Sequence, residues 1–206
     1  MKKSLKEKLL HIAKNKISNK DPSHDFSHSL RVLTNAELIA KKEKCDLEII
    51  IPAAIFHDVI GFPRNIHAQK SADEVVKILN TVPEYPKEKI KHVEYAIRMH
   101  SFKGRLETIE AKIIQDADNL EITGAIIIMR MFASAGFMGR AFYDLEDPWC
   151  KNRELDGSQY TLDYYFKRVL KVESEIHTTT AKKIVKRRMV FVKQFIKELK
   201  IELEGK

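Results

Sequence analysis

The stretch IIIPAAIFHDVIG, residues 49–61, decides how this chain reads. Every residue from Ile49 to Phe56 is apolar or proline, a run too continuous for a helix with one wet face and too short to span a bilayer. It predicts a buried central helix, capped at its start by Asp46 and stopped by Gly61 and Pro63. Pro52 removes one intrahelical bond and predicts a modest kink. At the buried end an imidazole and a carboxylate, His57 and Asp58, stand side by side. Alone, such a pair can be a structural hydrogen bond that satisfies both groups without an ion. Adjacent helical residues point about 100° apart, so both reach one ion only if it sits near the helix end and other elements complete its shell.

Candidates for that shell lie on both sides. Toward the N-terminus, Leu5, Leu9, Ile12, Ala13 and Ile17 share one face of a packing helix. Asp21-Pro22-Ser23 then predicts a second helix start, with Asp21 as N-cap, Ser23 as the alternative cap and Pro22 at the first helical position. This helix carries His24, Asp25, His28 and Arg31, and an apolar stripe through Leu30, Val32, Leu33, Ala36, Ile39 and Ala40. His24 and His28 are four residues apart and share a face; His28, deeper in the helix, is the preferred ligand. Toward the C-terminus, His67 opens a helix carrying Ala72, Val75, Val76, Ile78 and Leu79, and residues 87–100 form another that ends at His100. From Glu107 a further helix runs in which Asp116, Asp118 and Glu121 interrupt apolar sequence between Ile113 and Ile128. Unpaired burial of those carboxylates is costly, so a late acidic ligand is expected there. Residues 135–157, with Gly136, Gly139, Pro148 and Gly157, read as an irregular excursion that could cover a site. Helices over about 160–173 and 177–203 close the bundle, the last turning Ala181, Ile184, Val185, Val192, Phe195, Ile196 and Leu199 inward.

Composition frames these elements. With 206 residues, 44% hydrophobic and 32% charged, the chain predicts one compact all-α domain. No hydrophobic N-terminal segment suggests secretion or a membrane anchor, so a cytoplasmic protein is expected. Cys45 and Cys150 lack metal-type spacing and read as reduced structural thiols. A net charge of +8 suggests a polyanionic partner, but the lysines of residues 2–20 and 182–206 interleave with glutamate or apolar residues as solvated helix faces do. Without an arginine-rich tract or aromatic platform, a phosphate-bearing small molecule is the expected partner rather than nucleic acid. A homodimer is left open.

In chain order the constellation is His28, then His57-Asp58, then Asp118, on an all-helical background. It resembles the HD-domain superfamily of metal-dependent phosphohydrolases, and SHDFSHSLRV, AAIFHD, HAQKSA and QDADNLEITGAIIIMRMF look like its small bacterial branch acting on nucleotide phosphates. The resemblance covers roughly residues 20–200, and departs at Asn119, where many members carry a basic residue, and at Pro52. It implies an HD-domain helical bundle with additional C-terminal helices: a single domain over 1–206, with an HD core over about 20–125 and a helical part over about 126–206. It also implies His28, His57, Asp58 and Asp118 as metal ligands, His57 and Asp58 being catalytic. The family spacing Ala-Asp-x-Leu selects Asp118 over Asp116, which lies two residues away on nearly the opposite helix face. His24, Arg31 and Asp116 would orient ligands or touch substrate. His67 and His100 would hold a second ion or the substrate phosphate, and Arg31, Arg64, Lys70 and Lys103 could grip phosphates. Mixed imidazole and carboxylate ligands suit Mn, Fe, Co, Ni or Zn, of which the family favours Mn²⁺. The implied reaction is hydrolysis of a phosphoester or phosphoanhydride, most naturally of a nucleotide. The alternative is a catalytically silent helical module that binds a nucleotide, nucleic acid or protein partner.

Overall fold

Eight consecutive buried residues, Ile49 to Phe56, fill the helix Leu47–Phe56, designated α3. No face of it can turn to water, so it must lie at the centre of other helices. In the computed structural model, which describes residues 1–18, 21 and 23–205, it packs against α1 (Lys3–Lys16), α2 (Phe26–Ala40) and α5 (Ile90–Met99). The helix α4 (His67–Asn80) packs on α5, and α6 (Ile109–Asn119) follows. Asp46 caps α3 as expected, accepting from the Glu48 N–H at 2.8 Å.

Pro52 sits inside α3 and has no N–H, which leaves the Glu48 carbonyl four residues earlier without its helical donor. The buried Tyr85 hydroxyl takes that place, donating to Glu48 O at 2.7 Å. The proline is thereby accommodated by a partner 37 residues away in sequence.

Contacts divide the chain into two compact units, Met1–Asp118 and Asn119–Lys206. The second contains a 3-10 turn at Leu120–Ile122, then α7 (Gly124–Met138), α8 (Thr161–Lys167), a 3-10 segment at Val169–Glu175 and α9 (Thr179–Leu203), with α7 packed on both α8 and α9. The described residues form helices and connecting turns, and the protein is all-α. No single helix among them is long and apolar enough to cross a membrane.

Several expectations are corrected here. The second helix begins at Phe26 with Asp25 as N-cap, its side chain accepting from the His28 N–H, so His24 precedes the helix rather than riding on it. Asp21 instead closes a local turn by accepting from the Ser23 N–H at 2.8 Å, and the expected helical start at Pro22 lies outside the described residues. The continuous helix expected from Glu107 onward breaks after Asn119, because Thr123 is extended and Gly124 takes a φ of 67° before α7 begins. A Cβ at Gly124 would also come within 3.3 Å of Arg188. The excursion expected from residue 135 starts later, since α7 continues to Met138 and ends on Gly139 in the left-handed region. On α9 only Ala181, Val185, Met189 and Val192 are buried; Ile184, Phe195, Ile196 and Leu199 are half-buried.

Candidate metal centre

Five helical elements of the first unit deliver ionisable side chains to one place. His28 sits in the first turn of α2, His57 and Asp58 follow the last turn of α3, His67 opens α4, His100 ends α5, and Asp118 lies near the end of α6. His28 Nε2 and His57 Nε2 are 3.1 Å apart, and His67 Nε2 and His100 Nε2 are 3.2 Å apart. The Asp58 carboxylate lies between the pairs. Its Oδ2 is 4.0 Å from Nε2 of both His28 and His57, and its Oδ1 is 3.3 Å from His67 Nε2 and 3.6 Å from His100 Nε2. Asp118 Oδ1 stands 3.4 Å from His28 Nε2 and 3.9 Å from His57 Nε2.

Three of the rings are oriented by backbone. His57 Nδ1 meets Ala54 O at 2.9 Å, His67 Nδ1 meets Arg64 O at 2.5 Å, and His100 Nδ1 meets Ile97 O at 2.6 Å. A carbonyl only accepts, so each Nδ1 carries the proton, and each neutral ring presents its Nε2 lone pair to the cluster. Two lone pairs facing each other near 3 Å repel unless a proton or a cation lies between them. Asp58 Oδ1 is buried and has no hydrogen-bond partner of good geometry, an arrangement that is costly without a cation. This donor set, imidazole nitrogens with carboxylate oxygens, fits a divalent transition ion. Two such groups lie close enough to hold one, His28-His57-Asp58 and Asp58-His67-His100.

Burial and charge act unevenly here. Burial pushes His57 and His67 below the ordinary histidine value, favouring the neutral, ligating form. For His100 burial also lowers, but the adjacent Asp58 carboxylate outweighs it and the net shift is upward. The Asp58 and Asp118 carboxyls resist ionisation through burial, yet the surrounding imidazoles, led by His57, hold both below the usual carboxylate range. Within the cluster His28, His57 and His100 are closed to solvent, whereas the Asp118 side chain is 27% exposed and marks an open side.

Among the remaining expected residues, His24 touches the cluster. His24 stacks edge-on against His28 and binds Asp21 Oδ2 at 2.7 Å. Arg31 donates to Ser27 Oγ at 3.0 Å on the outer side of α2, and Asp116 is fully buried on α6.

An HD-domain family model matches residues 25–123, the interval that holds the cluster. Over 195 residues the chain is 30% identical to YpgQ of Bacillus subtilis, covering 92% of this chain and 89% of that protein. The chain belongs to the HD-domain superfamily. The crystal structure of YpgQ in complex with ADP superposes with a TM-score of 0.78 at 30% identity, covering 97% of this HD protein and 98% of that chain. The Lin1889 protein of Listeria innocua is 32% identical with a TM-score of 0.73, covering 97% of each chain. An HD-superfamily hydrolase from Bacillus thuringiensis is 27% identical with a TM-score of 0.72, covering both chains completely.

The sequence did not reveal what positions the cluster of this HD protein. Gln115 Nε2 donates to the carbonyls of Met99, His100 and Phe102 at 3.3, 3.1 and 2.9 Å, pinning the chain as it leaves α5. Asn35 Nδ2 donates to Ala117 O at 3.2 Å and ties α2 to α6 beside Asp118. Ser71 Oγ accepts from the Ile60 N–H at 3.0 Å, fixing the turn after Asp58. Each is a small polar residue on a helix, and nothing local to such a residue announces a partner elsewhere in the chain.

Proposed function

We propose that this HD protein is a metal-dependent phosphohydrolase that cleaves a phosphoester or phosphoanhydride bond of a nucleotide. One observation carries the reading: Asp58 is shared between two facing histidine pairs, with one buried oxygen lacking a hydrogen bond. In this proposal His28, His57, Asp58 and Asp118 hold a divalent ion, Mn²⁺ by preference and Fe, Co, Ni or Zn by donor type. Such an ion lowers the pKa of its bound water and neutralises charge on a phosphate oxygen. The protein's own part is to fix the tautomers of His57, His67 and His100 through their backbone carbonyls, to favour the neutral form of His57 and His67 by burial, to hold Asp58 ionised, and to leave the Asp118 side open for water and substrate. His67 and His100 hold a second ion or the substrate phosphate, and His24, Arg31 and Asp116 orient their neighbours. The B. subtilis relative crystallised with ADP supports a nucleotide as the ligand. A single HD-domain organisation and a cytoplasmic location belong to the same reading.

Elemental analysis of the purified protein, with a phosphate and pyrophosphate release screen over nucleotides, tests it. A stoichiometric transition metal and metal-dependent release are expected. Their joint absence would leave a catalytically silent helical module.

A further inference from the structure

The polar groups of the cluster differ sharply in access. Asp58, His28, His57 and His100 are closed to solvent, and His67 nearly so; Asp118 and Arg64 are open, the Arg64 side chain being 38% exposed. Arg64 lies in the turn between Asp58 and His67, and both its ends engage the site. Its carbonyl accepts from His67 Nδ1 at 2.5 Å, and its Nη1 donates to Asp58 Oδ2 at 2.9 Å and to Gly61 O at 3.4 Å. Asp58 Oδ2 is also the oxygen turned toward His28 and His57. One oxygen therefore has two claimants, the guanidinium and any cation seated between those histidines.

We propose that Arg64 competes with the metal for Asp58 and binds the substrate's phosphate at the mouth of the site. This rests on the metal-dependent reading above. Asp58 and Asp118 contribute two negative charges, which a single divalent ion cancels, so that Arg64, with the Asp21 carboxylate also in its field, remains as a positive group for an arriving phosphate to meet. Both of its bonds run from Nη1, and a guanidinium carries further donors on Nη2 and Nε in the fork that matches phosphate oxygens. A positive side chain so close to a metal ligand lowers metal affinity, whereas the same charge strengthens phosphate binding. The two effects of removing it must therefore have opposite signs.

The test uses the full-length protein and its Arg64→Gln and Arg64→Lys variants, all checked for helicity by circular dichroism. Mn²⁺ is titrated calorimetrically without nucleotide, and ADP is titrated at saturating Mn²⁺. For Arg64→Gln the Mn²⁺ dissociation constant should fall about three- to tenfold, and that for ADP should rise about tenfold, the scale of a charge-assisted bond. Arg64→Lys keeps the charge but loses the fork, so Mn²⁺ affinity should stay within about twofold while ADP binding weakens to an intermediate degree. If Arg64→Gln fails to fold, the Lys variant decides through its ADP affinity. Weaker or unchanged Mn²⁺ binding in Arg64→Gln, or unchanged ADP binding in either variant, overturns the proposal and leaves the phosphohydrolase reading standing. A wild-type protein that binds neither Mn²⁺ nor any of Fe, Co, Ni and Zn in the same titration overturns both.

Discussion

At the scale of single residues, the cluster's chemistry rests on groups that cannot be exchanged. His57→Ala or Asp58→Ala should abolish metal-dependent hydrolysis while the helical circular dichroism persists, because each removes a donor from a small ligand set. Turnover at the wild-type level in either variant would refute the metal centre. Asp118→Asn should weaken Mn²⁺ binding more than Asp116→Asn, since Asp118 Oδ1 is the oxygen within 3.4 Å of His28 Nε2; a titration giving the reverse order would transfer the role to Asp116. Gln115 gives a different kind of test. Gln115→Glu sets a carboxylate against three carbonyls of the His100 turn, so it should lower melting temperature and loosen ion or phosphate binding at His67-His100 more than at His28-His57. The histidines and aspartates were legible in the sequence because a buried charge needs a reason, and because their order along the chain repeats a family pattern. Gln115, Asn35 and Ser71 were not, since their partners are backbone atoms brought close only by packing. Arg64 was legible as a charge near the ligands, but its claim on Asp58 Oδ2 appears only in three dimensions.

At the scale of elements, α3 shows what an apolar run specifies and what it leaves open. Its burial, its Asp46 cap and its termination before His57 follow from residues 46–63 alone. The remedy for Pro52 does not, because Tyr85 comes from the segment after α4. Tyr85→Phe should cost about 1–3 kcal/mol, the usual penalty for a buried carbonyl left unpaired. In a Pro52→Ala background the restored N–H can take over the Glu48 carbonyl, so the same substitution should cost clearly less; a double-mutant cycle by urea unfolding with no coupling would disprove the link. The start of α3 carries a pH dependence. Burial raises the Asp46 pKa, but hydrogen bonds from Lys89 and the Glu48 N–H, with the Lys89 charge, bring it below the ordinary value of 3.8. A folded-state pKa that is depressed stabilises above the unfolded value, and the contribution disappears as pH falls below about 4. The side chain is 35% exposed, so solvent screening limits the effect to under about 1 kcal/mol. Lys89→Met should flatten the acid limb of the stability curve, and an unchanged acid limb would remove Lys89 as its cause. Similar logic explains the misplaced start of α2: Asp21 and Asp25 are both able caps, and only the backbone path shows that Asp25 meets the His28 N–H.

At the scale of the whole molecule, all six clustered side chains come from the first unit, Met1–Asp118, which lies largely within the interval matched by the HD model. The helical class and the family were readable because apolar periodicity and the ordered ligand pattern agree along the chain. The bounds of the late helices were less so: α9 is amphipathic over a long span, and periodicity marks a face without saying how far along the helix a neighbour covers it. The interval 107–134 read as one helix because its apolar residues continue through the break, and Gly124, the break's one local signal, lies in an otherwise helix-forming run. Six ionisable groups gathered from five helical segments repel or go unpaired in part without a cation, so a bound ion should stabilise the native chain. At a free Mn²⁺ concentration of about 100 times the dissociation constant, linkage gives about 2.7 kcal/mol, which scanning calorimetry would register as a raised melting temperature reversed by a chelator. Ligating imidazoles must be neutral, so this increment should shrink as pH falls. Because burial lowers His57 and His67 below the ordinary histidine value, the increment should persist at pH 6, where half or more of exposed imidazoles are already protonated. A metal-induced shift that vanishes between pH 7 and 6.5 would show that His57 and His67 titrate as exposed groups do, and would break the connection drawn between their burial and their readiness to bind.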